Sequence, residues 1–446
     1  MTEHKTDILV VGGGPAGIAA SISAARAGMN VTLVERYGFL GGWSTAALVA
    51  PMMTFHSGDR QVVSGIGEEL IQRLAGRNAS PGHIPDPIGF TSTVTPFHPE
   101  FLKIEAEQMV LESGAKIFYH SLVTNVTKQG SKLLSVQGYS KSGPFSITAQ
   151  GVIDCSGDGD LLHLADLPYV TGREDGTMQP ASLIFRVGNV DFDAVRQYMS
   201  EHPDQFVISS TLYENHNHPV LAVSGFFDKV AAASAVGDFT VPRDRVLLFS
   251  GVIPGEVTIN MTRLPSVNVD DWGDWSRAEI QGRQQVLETF EFLKKYIPGF
   301  AHAALIQIAA QVGLRETRRA VGDVCLSTND ILSGTLGPDR IGLGAFPIDI
   351  HSPDDAGLVF YHSKHPYGIP YGCLLPKGAD NLWVAGRCIS TTHKAHASTR
   401  VIPTCFVTGQ AAGTAAAIAV SYQQSSREIS IEKLHNQLRA QGVILD

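Results

Sequence analysis

The sequence predicts an α/β protein with a Rossmann-like dinucleotide-binding domain, built on a parallel sheet and a β-meander and split by a β-rich (α+β) domain. Two observations lead to this prediction. The chain opens as strand, tight turn, helix and strand, with apolar runs at residues 7–11 and 31–35 around a helix at 15–27. Apolar runs without alternation are typical of a parallel sheet covered on both faces. Near the other end, an apolar run at 381–385 precedes an Ala-rich helix at 404–422, so we expect this late segment to complete the first domain.

The segment after the opening unit adds a helix and a small antiparallel sheet. Residues 101–112 show helical spacing of apolar side chains. Three short runs at 122–126, 133–139 and 145–149, separated by turn residues, predict a meander, and the apolar run 151–155 predicts another buried strand.

The pattern changes from about residue 166, where longer alternating strands and one amphipathic helix at 272–296 replace the opening pattern. We therefore predict a discontinuous first domain, residues 1–165 and 372–446. Residues 166–371 are predicted to form a second domain that covers the substrate.

Composition excludes several classes of protein. The 446 residues carry 34 Lys and Arg against 43 Asp and Glu, a net charge of −9, which argues against nucleic acid or an anionic membrane as the partner. Five cysteines without a CxxC pair argue against a disulfide framework or a structural zinc site. The first eight residues lack the pattern of a signal peptide. We expect a cytoplasmic protein with a small-molecule substrate, and leave a homo-oligomer open.

The Gly-rich turn indicates a bound dinucleotide. Gly12, Gly14 and Gly17 form GxGxxG between strand and helix, and Glu35 ends the next strand. The glycines allow a tight turn and close approach of a pyrophosphate to the helix N-terminus, and Glu35 can accept the ribose hydroxyls.

The later sequence favours FAD over NAD. Gly41 and Gly42 follow the second strand, where bare backbone can approach a phosphate or a flavin edge. The last predicted helix aims its N-terminus at whatever lies beyond the pyrophosphate, and a flavin ring, which gains negative charge on reduction, fits that position.

Six blocks of the sequence resemble one known family: GGGPAGIAAS, ERYGFLGGWST, VIDCSGDGDL, GLRETRR, IPYGCLLPKGADNLWVAGRCIS and RVIPTCFVTGQAAGTAAA. They are similar to the FAD-dependent oxidoreductase family of the glutathione-reductase-type flavoprotein superfamily. The resemblance covers most of the chain at scattered blocks and is specific for FAD but not for a substrate. It implies a split FAD domain and a β-rich domain that caps the isoalloxazine. The residues we predict to contact FAD are Gly12, Gly14, Pro15, Ala16, Gly17, Glu35, Arg36, Gly41, Gly42, Trp43, Ser44, Val123, Cys155, Ser156, Gly157, Gly386, Arg387, Thr404 and Cys405.

The catalytic and substrate-binding candidates lie in the second half of the chain. The resemblance implies that residues 386–400 lie beside the flavin, and His393 and His396, three residues apart, are candidate bases because histidine exchanges protons near neutral pH. Arg400 and Arg315 are candidates to clamp a carboxylate or polar substrate. For Arg318 and Arg319 we favour pairing with Glu316, Asp323 or flavin phosphates. Tyr371 is a candidate substrate contact, and a core tyrosine is the alternative.

Other signals are weaker. Cys388 and, at lower odds, His393 are candidate sites of covalent flavin attachment. The calcium-like run DCSGDGD has Ala165 at the twelfth position, where the ligand Glu is required, and His216/His218 and His362/His365 lack further ligands, so we expect no metal. The Pro-rich loop at residues 80–99 is interpreted as either a lid or a static connection.

The sequence therefore predicts an FAD-dependent oxidoreductase that dehydrogenates a small polar organic substrate by hydride transfer to the flavin. Because a second GxGxxG in a strand–turn–helix context is missing, we expect electrons to enter from that substrate and to leave to dioxygen or a diffusible carrier. Three alternatives stay open: a flavin monooxygenase, a flavin-binding partner subunit without turnover, and an NAD dehydrogenase.

Overall fold

The computed structural model describes residues 1–207, 220–351, 358–363 and 365–446. The strands in this part of the chain are β1 (Thr2–Val11), β2 (Val31–Val34), β3 (His56–Ser57), β4 (Arg60–Gln61), β5 (Ile84–Pro85), β6 (Thr93–Val94), β7 (Lys116–Phe118), β8 (Leu122–Gln129), β9 (Lys132–Ser140), β10 (Gly143–Asp154), β11 (Tyr169–Thr171), β12 (Phe185–Gly188), β13 (Ala222–Gly225), β14 (Val246–Ser250), β15 (Val257–Ile259), β16 (Ala304–Ile308), β17 (Arg318–Ala320), β18 (Arg340–Gly344), β19 (Ile348–His351), β20 (Leu358–Tyr361), β21 (Tyr367–Pro370) and β22 (Leu382–Val384). The helices are α1 (Pro15–Arg26), α2 (Ile66–Gly76), α3 (Pro99–Glu112), α4 (Asp160–Leu164), α5 (Phe192–Glu201), α6 (Phe227–Ala235), α7 (Trp272–Tyr296), α8 (Thr328–Ser333), α9 (His393–Thr399), α10 (Ile402–Tyr422) and α11 (Ile431–Ala440).

The first sheet confirms the predicted α/β architecture. Strands β7, β2, β1 and β10 are parallel neighbours, and β22 returns late in the chain to pair in parallel with the end of β10. The first half of β10 pairs antiparallel with β9, which pairs with β8, as the meander prediction requires. The carboxyl ends of β2, β1, β10 and β22 therefore meet at one edge, where open α/β sheets bind ligands.

One strand differs from the sequence prediction. Residues 145–149 and 151–155 were predicted as two strands, whereas the structure forms the single strand β10. Gly151 continues the strand in register with Ile8 instead of turning. This glycine inside a strand therefore reflects pairing and not a chain reversal.

Helix α10 packs against α1 at unusually close range. A Cβ on Gly409 would lie 2.0 Å from the Ala16 carbonyl oxygen, and one on Gly413 would lie 2.2 Å from the Ala20 carbonyl oxygen. The Gly- and Ala-rich composition of α10 thus lets two helices touch through their backbones. Of the described helices, α10 alone has the length and apolar character to cross a membrane, yet 89% of its most apolar window is buried in the fold, and core helices pass the same test.

The middle of the chain has a core of its own. Strands β13, β14, β15, β12 and β16 form an antiparallel sheet in that order, and α7 contributes Val286, Phe292 and Leu293 to the apolar cluster beside it. Residues 320–371 instead contribute Ile341, Leu343 and other side chains to the core of the first sheet. The exact domain boundaries stay a prediction.

Candidate functional site

A cleft of about 890 Å³ lies at the carboxyl ends of the parallel strands. Sixteen of the predicted site residues line it: Gly12, Gly14, Pro15, Ala16, Glu35, Arg36, Gly42, Trp43, Val123, Cys155, Ser156, Gly157, Gly386, Arg387, Arg400 and Cys405. Eight further residues that were not predicted from the sequence also line it: Val11, Val34, Tyr37, Ser121, Leu122, Asp160, Ala385 and Ile402. Most of these immediately adjoin a predicted residue at a strand end or helix start, so extending each motif by one residue finds them.

Four predicted FAD contacts lie outside the cleft lining, namely Gly17, Gly41, Ser44 and Thr404. Gly17 packs helix against strand, because a Cβ there would lie 1.8 Å from the Gly12 carbonyl oxygen. Gly41 has φ +110°, which favours glycine at the start of the turn Gly42–Ser44. These two glycines shape the cleft without touching its space.

The three glycines of the GxGxxG turn serve different purposes. Gly12 has φ +99°, and a Cβ there would lie 2.5 Å from the Cys155 carbonyl oxygen, so the fold itself requires glycine. Gly14 has φ −72° and ψ −176°, and a Cβ on it would meet only the Gly42 Cα, at 3.7 Å. Space is therefore left beside Gly14 for a ligand and not for protein.

Glu35 ends the β2 strand and holds the edge of the Gly-rich turn. Its carboxylate accepts hydrogen bonds from the Gly13 N–H, at 2.6 Å, and the Tyr37 N–H, at 2.9 Å. Burial is the main effect on its pKa, which is raised. Each oxygen retains a lone pair, so the group can still accept ribose hydroxyls.

Arg387 is the best-anchored side chain of the cleft. Nε donates to the Gly157 carbonyl at 2.9 Å, and Nη2 pairs with the Asp158 carboxylate at 2.5 Å. Its guanidinium lies 4.8 Å from the centre of the Trp43 ring, and the Trp43 indole N–H donates to the Leu314 carbonyl at 3.0 Å. Asp158, which lies in the calcium-like run and was not predicted as a site residue, thus positions a cation at the cleft.

The residues present fit a bound dinucleotide. The first turn of α10 receives no side-chain cap, and its first residue, Ile402, lines the cleft, so backbone N–H groups are available there for negative charge. The hydroxyls of Ser44 and Tyr37 are buried without a hydrogen-bond partner among the described residues. Buried polar atoms of this kind call for a partner, and a ligand in the cleft can supply one to Tyr37, which lines it.

The sequence profile of the family described as FAD dependent oxidoreductase matches residues 7–438. The chain belongs to this family. Its cofactor is FAD, and it is an oxidoreductase. The predicted fold, cofactor and enzyme class are thereby confirmed.

Curated relatives match parts of the chain. A thiamine thiazole synthase from Methanococcus aeolicus is 26% identical over 167 residues, which are 35% of this chain and 57% of the relative. A urocanate reductase from Eggerthella lenta is 39% identical over 85 residues, 18% of this chain and 13% of the relative. The chain thus spans less than two thirds of these relatives.

The solved structure of the p-nitrophenol 4-monooxygenase PnpA from Pseudomonas putida DLL-E4 has a TM-score of 0.51 and 11% identity, covering 98% of this chain and 84% of the other. This similarity shows that the two chains share a fold.

His393 begins α9 and does not line the cleft itself. Its Nδ1 lies 2.9 Å from Glu316 Oε1, and Arg319 forms an ion pair with the same carboxylate. The Gln179 N–H donates to the other Glu316 oxygen at 3.3 Å, and the Gln179 side chain accepts a hydrogen bond from Arg400 at 3.0 Å. Since Arg400 lines the cleft, three hydrogen bonds through Glu316 and Gln179 connect His393 to the cleft lining.

His396, the second candidate base, also lies outside the cleft lining. It is fully buried, and its Nε2–H donates to the Arg387 carbonyl oxygen at 2.9 Å. Burial lowers its pKa well below the usual value. The structure places His396 in the core, where it supports the backbone of Arg387.

Tyr371 also lies away from the cleft. Its hydroxyl donates to the Ser426 carbonyl and accepts from the Trp383 indole, both at 2.8 Å. Burial raises its pKa. The structure therefore places Tyr371 in the core, the alternative that the sequence left open.

Arg315 lies outside the cleft lining but next to Leu314, whose carbonyl accepts from both Trp43 and Arg387. Arg319 pairs with Glu316, one of the acidic partners predicted from the sequence, whereas Arg318 pairs with Asp270, which was not among them. Cys388 is fully buried behind the cleft, with Sγ 3.5 Å from the Ala385 carbonyl, and burial raises its pKa.

The acidic and Pro-rich runs both form ordered turns. The Asp154 carboxylate of the calcium-like run accepts the N–H groups of Ser156 and Leu161, which closes the turn after β10. No group of three or more candidate metal ligands lies together in the described part of the chain, and His216 and His218 fall outside it. Within the Pro-rich loop, β5 pairs with β6, and Asp86 accepts three backbone N–H groups, so this loop has a defined internal structure.

Proposed function

We propose that the enzyme dehydrogenates a small polar organic substrate, with His393 accepting the proton. The observation that carries this proposal is the Glu316–His393 pair, which Gln179 connects to Arg400 at the cleft. Arg319 and the Gln179 N–H both donate to Glu316, which favours its ionised, purely accepting form.

The pairing with Glu316 determines which ring nitrogen of His393 is the base. A carboxylate can only accept, so the proton resides on Nδ1 and the lone pair on Nε2. Burial, with smaller contributions from Arg319 and Arg173, lowers the pKa of His393 to about 4. The imidazole is therefore neutral at neutral pH and ready to accept a proton at Nε2.

The chain's residues divide the work of the reaction. FAD, when bound, supplies the acceptor for a hydride from the substrate carbon. His393 Nε2 takes the proton of the substrate hydroxyl or amine, and Glu316 stabilises the cation that results. The uncapped N-terminus of α10 stabilises negative charge on the cofactor side of the cleft. Dioxygen or a diffusible carrier then takes up the electrons.

The test is anaerobic reduction of the flavin by a panel of alcohols and amines, which is monitored through the loss of the flavin's visible absorption. His393→Gln should slow reduction by about 10²- to 10⁴-fold, the contribution typical of a positioned base, with FAD content unchanged. His302→Gln, at an exposed position, is the matched control and should reduce at the wild-type rate.

Other outcomes would replace the proposal. Equal reduction rates in His393→Gln and wild type would show that His393 is not the base. Consumption of NAD(P)H stimulated by an aromatic substrate would identify a monooxygenase, and retained FAD without reduction by any substrate would identify a non-catalytic subunit.

A further inference from the structure

Three arginines gather on the segment that links the β-rich domain to the cleft. Arg400 donates to Gln179 Oε1 at 3.0 Å, and Arg315 Nη1 donates to the Pro180 carbonyl at 2.6 Å and to Ser182 Oγ at 2.8 Å. Residues 179–182 thus hold both guanidinium groups.

Arg243 joins this cluster through one shared acceptor. Its Nη2 donates at 3.0 Å to the Thr262 carbonyl oxygen, which also accepts from Ser182 Oγ at 3.2 Å. Nε of Arg243 donates to the Met261 carbonyl at 3.1 Å. The chain of contacts from Arg243 through Ser182 to Arg315 is therefore short and continuous.

Two members of the cluster lack the counter-charge that other buried arginines have. Arg387, Arg318 and Arg319 each pair with a carboxylate. Arg243, only 8% exposed, and the partly buried Arg315 form no ion pair with any residue in the described ranges. Their hydrogen bonds are made to neutral oxygens.

The charges of the cluster favour the binding of an anion. Burial, together with Arg243 and Arg400, lowers the pKa of Arg315 well below its usual value, and burial also lowers that of Arg243 to about 10. Arginine remains protonated in proteins, so these cations stay charged and repel each other. Two carboxylates oppose this repulsion: Asp349, whose Oδ2 lies 3.8 Å from Arg400, and Asp244, which adjoins Arg243 in the chain. Asp244 also pairs with Arg245, so among the described residues the three arginines outnumber the carboxylates that act on them. A buried charge without a partner is costly.

We propose that Arg243 and Arg315, with Arg400 at the edge of the cleft, bind a doubly negative group of the substrate, which is a dicarboxylate or a phosphate monoester. This inference rests on the proposed function, because it names the class of substrate that the same site dehydrogenates. The guanidinium forks of Arg315 and Arg243 match the planar oxygens of such a group. Arg315 directly follows Leu314, whose carbonyl oxygen accepts hydrogen bonds from Trp43 and Arg387 of the cleft lining, so this end of the cluster adjoins the cleft.

The test measures binding to the holoprotein with oxidised flavin, without turnover. Malonate and inorganic phosphate are the two anionic probes, and malonamide, the neutral analogue of malonate, is the matched ligand control. Calorimetric titration and thermal unfolding at constant ionic strength give the dissociation constants. We expect malonate or phosphate to bind and malonamide not to bind. Whichever of the two anions binds more tightly shows whether the site prefers a carboxylate or a phosphate group.

Variants locate the binding. Arg315→Gln and Arg243→Gln should each weaken the binding of the more tightly bound anion at least tenfold. The control is Arg245→Gln, which replaces a neighbouring arginine paired with Asp244 and should bind this anion as the wild type does. If Arg315→Gln does not fold, Arg243→Gln and the comparison of malonate with malonamide still decide. Unchanged affinity in both variants, or no preference for the anions over malonamide, would overturn the inference.

The two proposals fail separately. Anion binding that depends on Arg315 without flavin reduction by any anionic substrate would overturn the proposed function and leave this site standing. Flavin reduction by a neutral substrate, with a KM unaffected by Arg315→Gln, would overturn this site and leave the proposed function standing.

Discussion

Replacing Gly14 by alanine separates the needs of the fold from the needs of the cofactor. The backbone of Gly14 is extended, a conformation open to any residue, and a new Cβ would contact only the Gly42 Cα, at 3.7 Å. The apoprotein should therefore keep its stability or gain about 0.4–1 kcal/mol, because alanine restricts the unfolded chain. FAD should lose the space against the backbone. Overpacking of this kind costs about 1–3 kcal/mol, which corresponds to a roughly 5- to 150-fold larger dissociation constant for FAD.

Gly17→Ala is the matched control with the opposite outcome. Its Cβ would lie 1.8 Å from the Gly12 carbonyl oxygen and 3.3 Å from the Cys155 Cβ, so helix and strand must separate. We expect the apoprotein to lose about 3 kcal/mol of unfolding free energy.

Two measurements are needed for both variants. Urea unfolding of the apoprotein gives the unfolding free energy, and quenching of flavin fluorescence during titration gives the dissociation constant of FAD. Wild-type FAD affinity in Gly14→Ala would show that the pyrophosphate does not lie against Gly14. A loss of apoprotein stability in the same variant would show that the open space belongs to the fold.

The side chains of His393 and Tyr371 give two further predictions. The pKa of His393 is about 4 in the folded protein and about 6.5 in the unfolded chain. The base therefore stays neutral on acidification, and the rate of flavin reduction should fall only near pH 4. The unfolding free energy should decrease as the pH falls from about 6.5 to about 4, because the unfolded state binds the proton first. A reduction rate that falls with a pKa near 6.5 would contradict this. Tyr371→Phe should leave the Trp383 N–H without its acceptor and lower the unfolding free energy by about 1–3 kcal/mol. The KM and the FAD affinity should not change. A raised KM would show that Tyr371 contacts the substrate.

The sequence was sufficient wherever a feature depends on local pattern. The apolar runs predicted the parallel strands, the GxGxxG spacing predicted the phosphate turn, and the run at 381–385 predicted the return strand β22. The sequence assigned Gly12, Gly14 and Gly17 a tight turn, room for a pyrophosphate and close helix-to-strand packing, but not the groups that distinguish one glycine from another. That distinction depends on the Cys155 and Gly42 backbones, which long-range folding brings beside the turn.

The arrangement of the catalytic candidates could not be predicted in the same way. Helical spacing places His393 and His396 near each other, but the partner of each ring comes from elsewhere, Glu316 in one case and the Arg387 carbonyl in the other. Tyr371 precedes the return strand in sequence, yet its hydroxyl bonds to Ser426 and Trp383 in the core. Motif spacing predicts which residues share a turn, and it does not predict which residues from distant segments meet them.

Net charge shows how a property of the whole chain differs from the charge at one site. A charge of −9 describes the whole chain, and it argues against polyanionic macromolecules because such partners sense the summed surface field. A small substrate instead senses the few groups within a Debye length, about 8 Å in physiological salt. Around residues 179–182 those groups include Arg243, Arg315 and Arg400. An acidic protein can therefore bind an anion where the fold brings more cations than carboxylates together in a partly buried cluster.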